Sequence, residues 1–246
     1  MEVDVGDGRD REPTVAIIMP VLNEATQVEA GLQALYRYDM LNEVIIVDGG
    51  SDDTTGDVVR GFIGQSSEAK SIFRFAVAPR SRALQMNTGA LQAQSDVLLF
   101  LHVDARLPDS AMDSVRDAIK RGASWGRFNM RLDDDAVIFR VIERCMNMRS
   151  ALTGIATGDQ AIFVRRDVFR MLDGYASIPL MEDVEFCKRL KWVGPPALIC
   201  KQVRTSTRRW RQHGIIRTVM LMWFLRLLYW LGGAPKTVAR LYPDAR

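Results

Sequence analysis

Short apolar runs rich in β-branched residues occur at 15–19, 43–47, 72–77 and 97–101. Uninterrupted runs of this length predict strands covered on both faces. Between them the apolar positions change to helical spacing. After the first run Val28, Leu32 and Leu35 fall on one helix face, and Thr26 with Glu29 predicts a capping box at the helix start. Strand and helix in alternation predict an α/β fold with a mostly parallel sheet flanked by helices. Pro108 and Asp109 open a further helix to about Arg121, and 125–132 reads as another strand. A second half follows, with a helix at 135–150, a loop at 153–160, a strand at 161–164 and a helix from 183 to about 191. The pattern contains no internal repeat and no low-complexity linker.

The last apolar stretch, 215–231, is interrupted by Arg217 and Arg226, and its uncharged runs fall short of the ~20 residues that span a bilayer. Nine positions apart, the two arginines lie on opposite faces at about 100° per residue. The stretch therefore predicts neither a transmembrane helix nor a clean amphipathic one. Burial in a homodimer contact and shallow seating in a membrane interface both stay open.

At 246 residues, with 48% hydrophobic and 26% charged positions, the chain can bury a full core and is not globally disordered. Its net charge of +3 hides an asymmetry: no Asp or Glu lies between Glu185 and Asp244, where twelve Lys and Arg fall. Upstream carboxylates suit a cation, and a downstream basic segment suits an anion such as pyrophosphate. Three cysteines without a CxxC spacing predict neither a disulfide framework nor a zinc site, and so a reduced, cytoplasmic setting. Residues 1–12 are acidic and Gly-containing rather than signal-like, and are expected to be disordered.

Ligands of open parallel sheets sit beyond the carboxyl ends of the strands. The first strand runs into Pro20, Asn23 and Glu24, the second into Asp48, Gly49, Ser51 and Asp52, and the fourth into His102, Val103 and Asp104. The first turn reads PVLNEA where a redox Rossmann domain carries GxGxxG, and there is no GxxxxGK[ST]. What remains is a nucleotide read by one carboxylate, with a divalent cation on another; Asp48 and Asp104 are the candidates.

The series PVLNE, VIIVDGGSDDT, SRALQMNTGA and DVLLFLHVD resembles family 2 glycosyltransferases of the GT-A fold. The segments TGIATGDQAIFVRR (153–166) and PLMEDVEF (179–186) look most similar to a bacterial subgroup named for arsenosugar biosynthesis. The resemblance implies that Asp48 reads uracil, that Pro20, Asn23, Glu24, Gly49 and Ser51 hold the nucleoside, and that Arg82, with Asn87 on the same helix, serves the nucleotide. It places Asp104 at the last position of a DxD signature, holding Mn²⁺ or Mg²⁺ across the diphosphate. His102 occupies the first position in place of an aspartate, with Val103 between. His102 and His213 are candidate further metal ligands, and Arg209 and Arg211 candidate diphosphate contacts. Gly158, Asp159 and Gln160 would line the acceptor or donor-sugar side. Asp183, with Glu182 beside it, would be the base that takes the acceptor proton.

The expected protein is thus a metal-dependent inverting glycosyltransferase, using a nucleotide-diphosphate sugar, with UDP as the nucleotide, and an unidentified hydroxyl acceptor, small molecule or lipid. Its catalytic domain would span 13–213 and a helical tail 214–246, with peripheral contact on the inner face of the membrane as one role for the tail. Nucleic acid is not an expected partner, since Trp210 and its arginines match no binding module. A sugar-nucleotide pyrophosphorylase, or a non-catalytic nucleotide-binding or membrane-associated relative, are the alternatives.

Overall fold

The computed structural model describes residues 11–38, 41–232, 239 and 241. The first half alternates β1 (Val15–Val21), α1 (Ala25–Tyr36), β2 (Glu43–Asp48), α2 (Thr55–Gly64), α3 (Ser67–Ile72), β3 (Phe73–Val77), α4 (Arg82–Gln92), β4 (Val97–Phe100) and α5 (Ala111–Lys120). The second comprises β5 (Trp125–Leu132), α6 (Val137–Thr153), β6 (Phe163–Arg165), α7 (Arg166–Met171), α8 (Glu182–Val193), β7 (Ala197–Thr205), α9 (Arg208–His213) and α10 (Ile215–Trp230). One seven-stranded sheet runs β3-β2-β1-β4-β6-β5-β7. β1 to β4 are parallel, β6 is antiparallel to both β4 and β5, and β7 returns parallel to β5.

The apolar runs are unbroken because helices cover both faces. Val15, Ile17 and Met19 of β1 pack with Val28, Leu32 and Leu35 of α1 on one side. Ala16 and Ile18 pack with Ala83, Met86 and Ala90 of α4 on the other. Each large side chain so removed from water contributes about 1.5–3 kcal/mol. α4 lies directly on the sheet, where a Cβ on Gly89 would come 2.6 Å from Ile18 Cγ2, so Arg82 at its start is delivered to the carboxyl edge.

Three local expectations change. α1 begins after Glu24 with no side-chain cap, so Thr26 and Glu29 lie inside the helix and form no capping box. The third strand starts at Phe73 because α3 runs through Ile72. β7 was not expected: only Ile199, Val203 and Thr205 are buried, the weak signal of an edge strand carrying Lys201 and Arg204. At the chain start, Arg11 bonds Asp96 and Glu12 bonds Lys120, while residues 1–10 of the expected disordered segment lie outside the described residues.

α10 packs on its own chain at two places. Ile215 and Val219 join Met130, Leu132, Phe139 and Ile142, while Leu221, Met222, Leu225 and Leu228 join Met181 and Val184. No helix among the described residues is long and apolar enough to cross a membrane.

Candidate functional site

The turns after β1 and β2 are laced into one unit. Asp48 is buried and accepts from the Ser51 hydroxyl at 2.5 Å and the Ser51 N–H at 3.1 Å. Asn23, at φ 54°, donates its N–H to Ser51 Oγ at 2.9 Å and accepts at Oδ1 from the Asp52 N–H at 2.8 Å. Glu24 donates its N–H to Thr55 Oγ1 at 2.8 Å, and its carboxylate faces Arg208 at 3.7 Å. Gln85, which the sequence pattern does not single out, donates to the Val21 and Val47 carbonyls at 2.7 and 2.9 Å and ties the two strand ends together. Its amide lies only 3.0 Å from where a Cβ on Gly49 would stand. Arg80 is committed to Gly50 and Asp52, so that of these two neighbouring arginines Arg82 is the one that enters the site.

Beyond β4 the chain borders a cavity of about 450 Å³. Arg82, His102, Asp104, Gly158, Asp159, Glu182 and Asp183 all line it, so residues far apart in sequence converge there. Pro20 lines a smaller void adjoining it beside His102. Val103 points its side chain into the core, leaving only its backbone for a ligand. A Cβ on Gly158 would fall 2.2 Å from His102 Nε2, so the glycine is required by the imidazole. The Gly158 N–H donates to Asp183 Oδ2 at 3.1 Å.

Asp183 lies in the first turn of α8 with Glu182 and Glu185, where the helix dipole favours negative charge. Met181 precedes the helix at φ 68°, a left-handed conformation that costs a non-glycine residue about 1–2 kcal/mol and concentrates at functional sites. Removal from water, then the neighbouring Glu182, pushes the Asp183 carboxyl up to about 7; bonds from the Gly158 and Val184 amides and the charge of Arg82 work against that rise. Arg82 reaches Glu182 at 3.9 Å.

Other expected site residues are engaged elsewhere. The Asn87 amide pairs with both the N–H and the carbonyl of Tyr175, at 2.9 and 2.8 Å, and so fastens α4 to the second half. Gln160 is fully buried, accepting from the Thr157 N–H at 3.2 Å and donating to Asn147 at 3.3 Å; it braces the loop from behind. Arg211 is held by Asp134. The side chains of Arg209 and His213 lie outside the described residues.

Among the described residues no three His, Cys, Asp or Glu converge as a metal cage. A cation completed by diphosphate oxygens and water needs only one or two protein ligands, and Asp104 and His102, which both line the cavity, fit that donor set. Sequence reasoning missed Arg149 of α6. It lines the cavity within reach of the charges of Asp183 and Asp159, and its Nε and one terminal nitrogen are buried without a hydrogen-bond partner. Removal from water lowers its pKa, with the two carboxylates opposing. Nothing local in the sequence marks it.

The profile of Glycosyl transferase family 2 matches residues 16–174. A PGL/p-HBAD biosynthesis glycosyltransferase of Mycobacterium bovis is 28% identical over 227 residues, 88% of this chain and 84% of its own length. Among solved structures, mannosyltransferase PcManGT from Pyrobaculum calidifontis, in complex with GDP-Man and Mn²⁺, superposes with a TM-score of 0.60 at 21% identity, over 83% of this chain and 60% of that one. S. aureus TarS 1-349 in complex with UDP gives 0.63 at 14% identity, over 78% and 60%. At these identities the likeness is one of fold, and the chain spans about three fifths of those solved chains. The relatives' names do not carry the arsenosugar subgroup, whose likeness rests on the segments at 153–166 and 179–186. With a profile match across most of its length and a sheet of the same architecture, the chain belongs to glycosyl transferase family 2.

Proposed function

We propose that the protein transfers a sugar, with inversion, from a nucleotide-diphosphate donor to an acceptor hydroxyl, with Asp183 as the base. The observation that carries this reading is the convergence of Asp183, Glu182, Arg82, His102 and Asp104 on one cavity at the carboxyl edge of the sheet. The nucleobase of the donor would lie along the Asn23–Ser51 turns, with Asp48 accepting from it; the mannosyltransferase bound to GDP-Man makes GDP the nucleotide to compare with UDP. Arg82 sits at the diphosphate, where its guanidinium can bond phosphate oxygens in pairs. Asp104, with His102, would hold Mn²⁺ or Mg²⁺, which neutralises charge on the departing diphosphate. Asp183 takes the acceptor proton as the oxygen attacks the anomeric carbon; a carboxyl poised near 7 suits that work at neutral pH. A pyrophosphorylase reading has no comparable support.

Calorimetric binding of UDP and GDP, with and without Mn²⁺, on wild type and Asp104→Ala tests the donor half. Binding that needs both the metal and Asp104 is the expected result; indifference to both would overturn the metal assignment. The outer face of α10 supports the further reading that the protein seats on a membrane interface, since Ile216, Met220, Trp223, Leu227 and Trp230 form an exposed stripe at helical spacing beside Arg217.

A further inference from the structure

The cavity changes character along its length. Its polar end holds Asp183, Asp104 and Arg82, whereas its far end runs between α6 and α10, walled by Val141, Ile142 and Met146 on one side and Val219, Met220 and Trp223 on the other. We propose that this far end is the acceptor subsite and that it takes an alcohol carried on an apolar body, an alkyl or aryl chain, rather than a bare sugar. The proposal rests on the assignment of Asp183 as base and names the substrate class of that site.

Three observations carry it. A sugar ring against Val141, Ile142, Met146, Val219, Met220 and Trp223 would lose water from several hydroxyls, while an apolar chain loses only unfavourable hydration; Thr218 and Arg226 are the polar side chains that α10 adds to the lining. Arg149 of α6 lines the same cavity within reach of the charges of Asp183 and Asp159, and so places a cation at the head group beside Asp183. Finally, Met220 and Trp223 line the cavity and are also 65% and 70% exposed. The apolar wall therefore continues onto the outer face of α10 and gives an apolar molecule a path inward.

The experiment titrates the full chain with straight-chain primary alcohols from butanol to decanol, by calorimetry, with and without saturating UDP. Affinity should rise about three- to fourfold per added methylene until the channel is filled. Val141→Asp and Met220→Asp place a charge on opposite walls at positions at least half exposed, so neither forces a carboxylate into the core. Each should weaken decanol binding by about tenfold or more while UDP binding is unchanged. Binding independent of chain length, or equal in wild type and both variants, would overturn the proposal. A failed donor assignment shows up separately, as absent UDP binding, and leaves the alcohol titration readable.

Discussion

Asp183 combines two demands that oppose each other. Its carboxyl is raised from an ordinary 3.8 to about 7, so between those values the folded protein keeps a proton that the unfolded chain has lost. Rising pH therefore erodes stability across that window, and above about 7 the whole cost remains. Asp183→Asn should be more stable than wild type near pH 8 by about 1–4 kcal/mol and little changed near pH 4, by chemical denaturation at each pH. The same variant should transfer about 10² to 10⁴ times more slowly with UDP binding kept. A variant that is neither stabilised at high pH nor slowed would remove Asp183 from the mechanism. Gly158 makes a complementary case: Gly158→Ala drives a methyl into His102 Nε2. It should cost about 1–3 kcal/mol and displace either the imidazole or the amide bonded to Asp183, seen as a lower denaturation midpoint and reduced transfer. That Asp104, Arg82 and Asp183 come to one cavity was legible because each stands in a short motif at an element end. Arg149 was not, since its place on the cavity is set by the packing of α6 and not by a local motif. The bonds of Asn87 to Tyr175 and of Gln160 to Asn147 were not legible, because they join residues of separate segments of the chain.

Among the elements, β1, β2 and β4, which sequence periodicity found, are buried on both faces; β3, an edge strand, was found through its apolar run although Val77 is exposed, and β7, the strand that was missed, is half exposed at the other edge. The tail shows the same limit in another form. Its apolar stretch was legible as a helix, but two faces of α10 are used differently: one closes the clusters around Ile142 and Met181, and the other stays exposed. Ending the chain after Gly214 should therefore uncover both clusters and lower stability by several kcal/mol, at about 25 cal/mol per Å² of apolar surface exposed. Trp223→Asp and Trp230→Asp alter positions 70% and 75% exposed, and should change unfolding free energy by no more than about 0.5 kcal/mol. If α10 seats on a bilayer, the pair should still abolish sedimentation with anionic vesicles. Undiminished sedimentation would assign the exposed stripe to a contact between protein chains, which light scattering of the same variants would detect as loss of a dimer.

At the scale of the whole molecule, the sheet joins two halves through the antiparallel β4–β6 pair, and the site lies on that seam. The parallel half supplies Arg82, His102 and Asp104 to the cavity; the other supplies Asp159, Glu182 and Asp183. The halves are coupled electrostatically, because the charge of Arg82, at the start of α4, opposes the upward shift of the Asp183 carboxyl in α8. Removing that charge should raise the Asp183 pKa further. In Arg82→Ala the acidic limb of kcat/KM should move above about pH 7, so that much of the activity lost at neutral pH returns in more alkaline buffer. Arg82→Lys keeps the charge but loses the paired bonds to phosphate; its limb should stay near the wild-type position while donor affinity falls. A pH profile that is identical in wild type and Arg82→Ala would mean that the first half merely presents the donor, and that the proton affinity of the base is set within the second half alone.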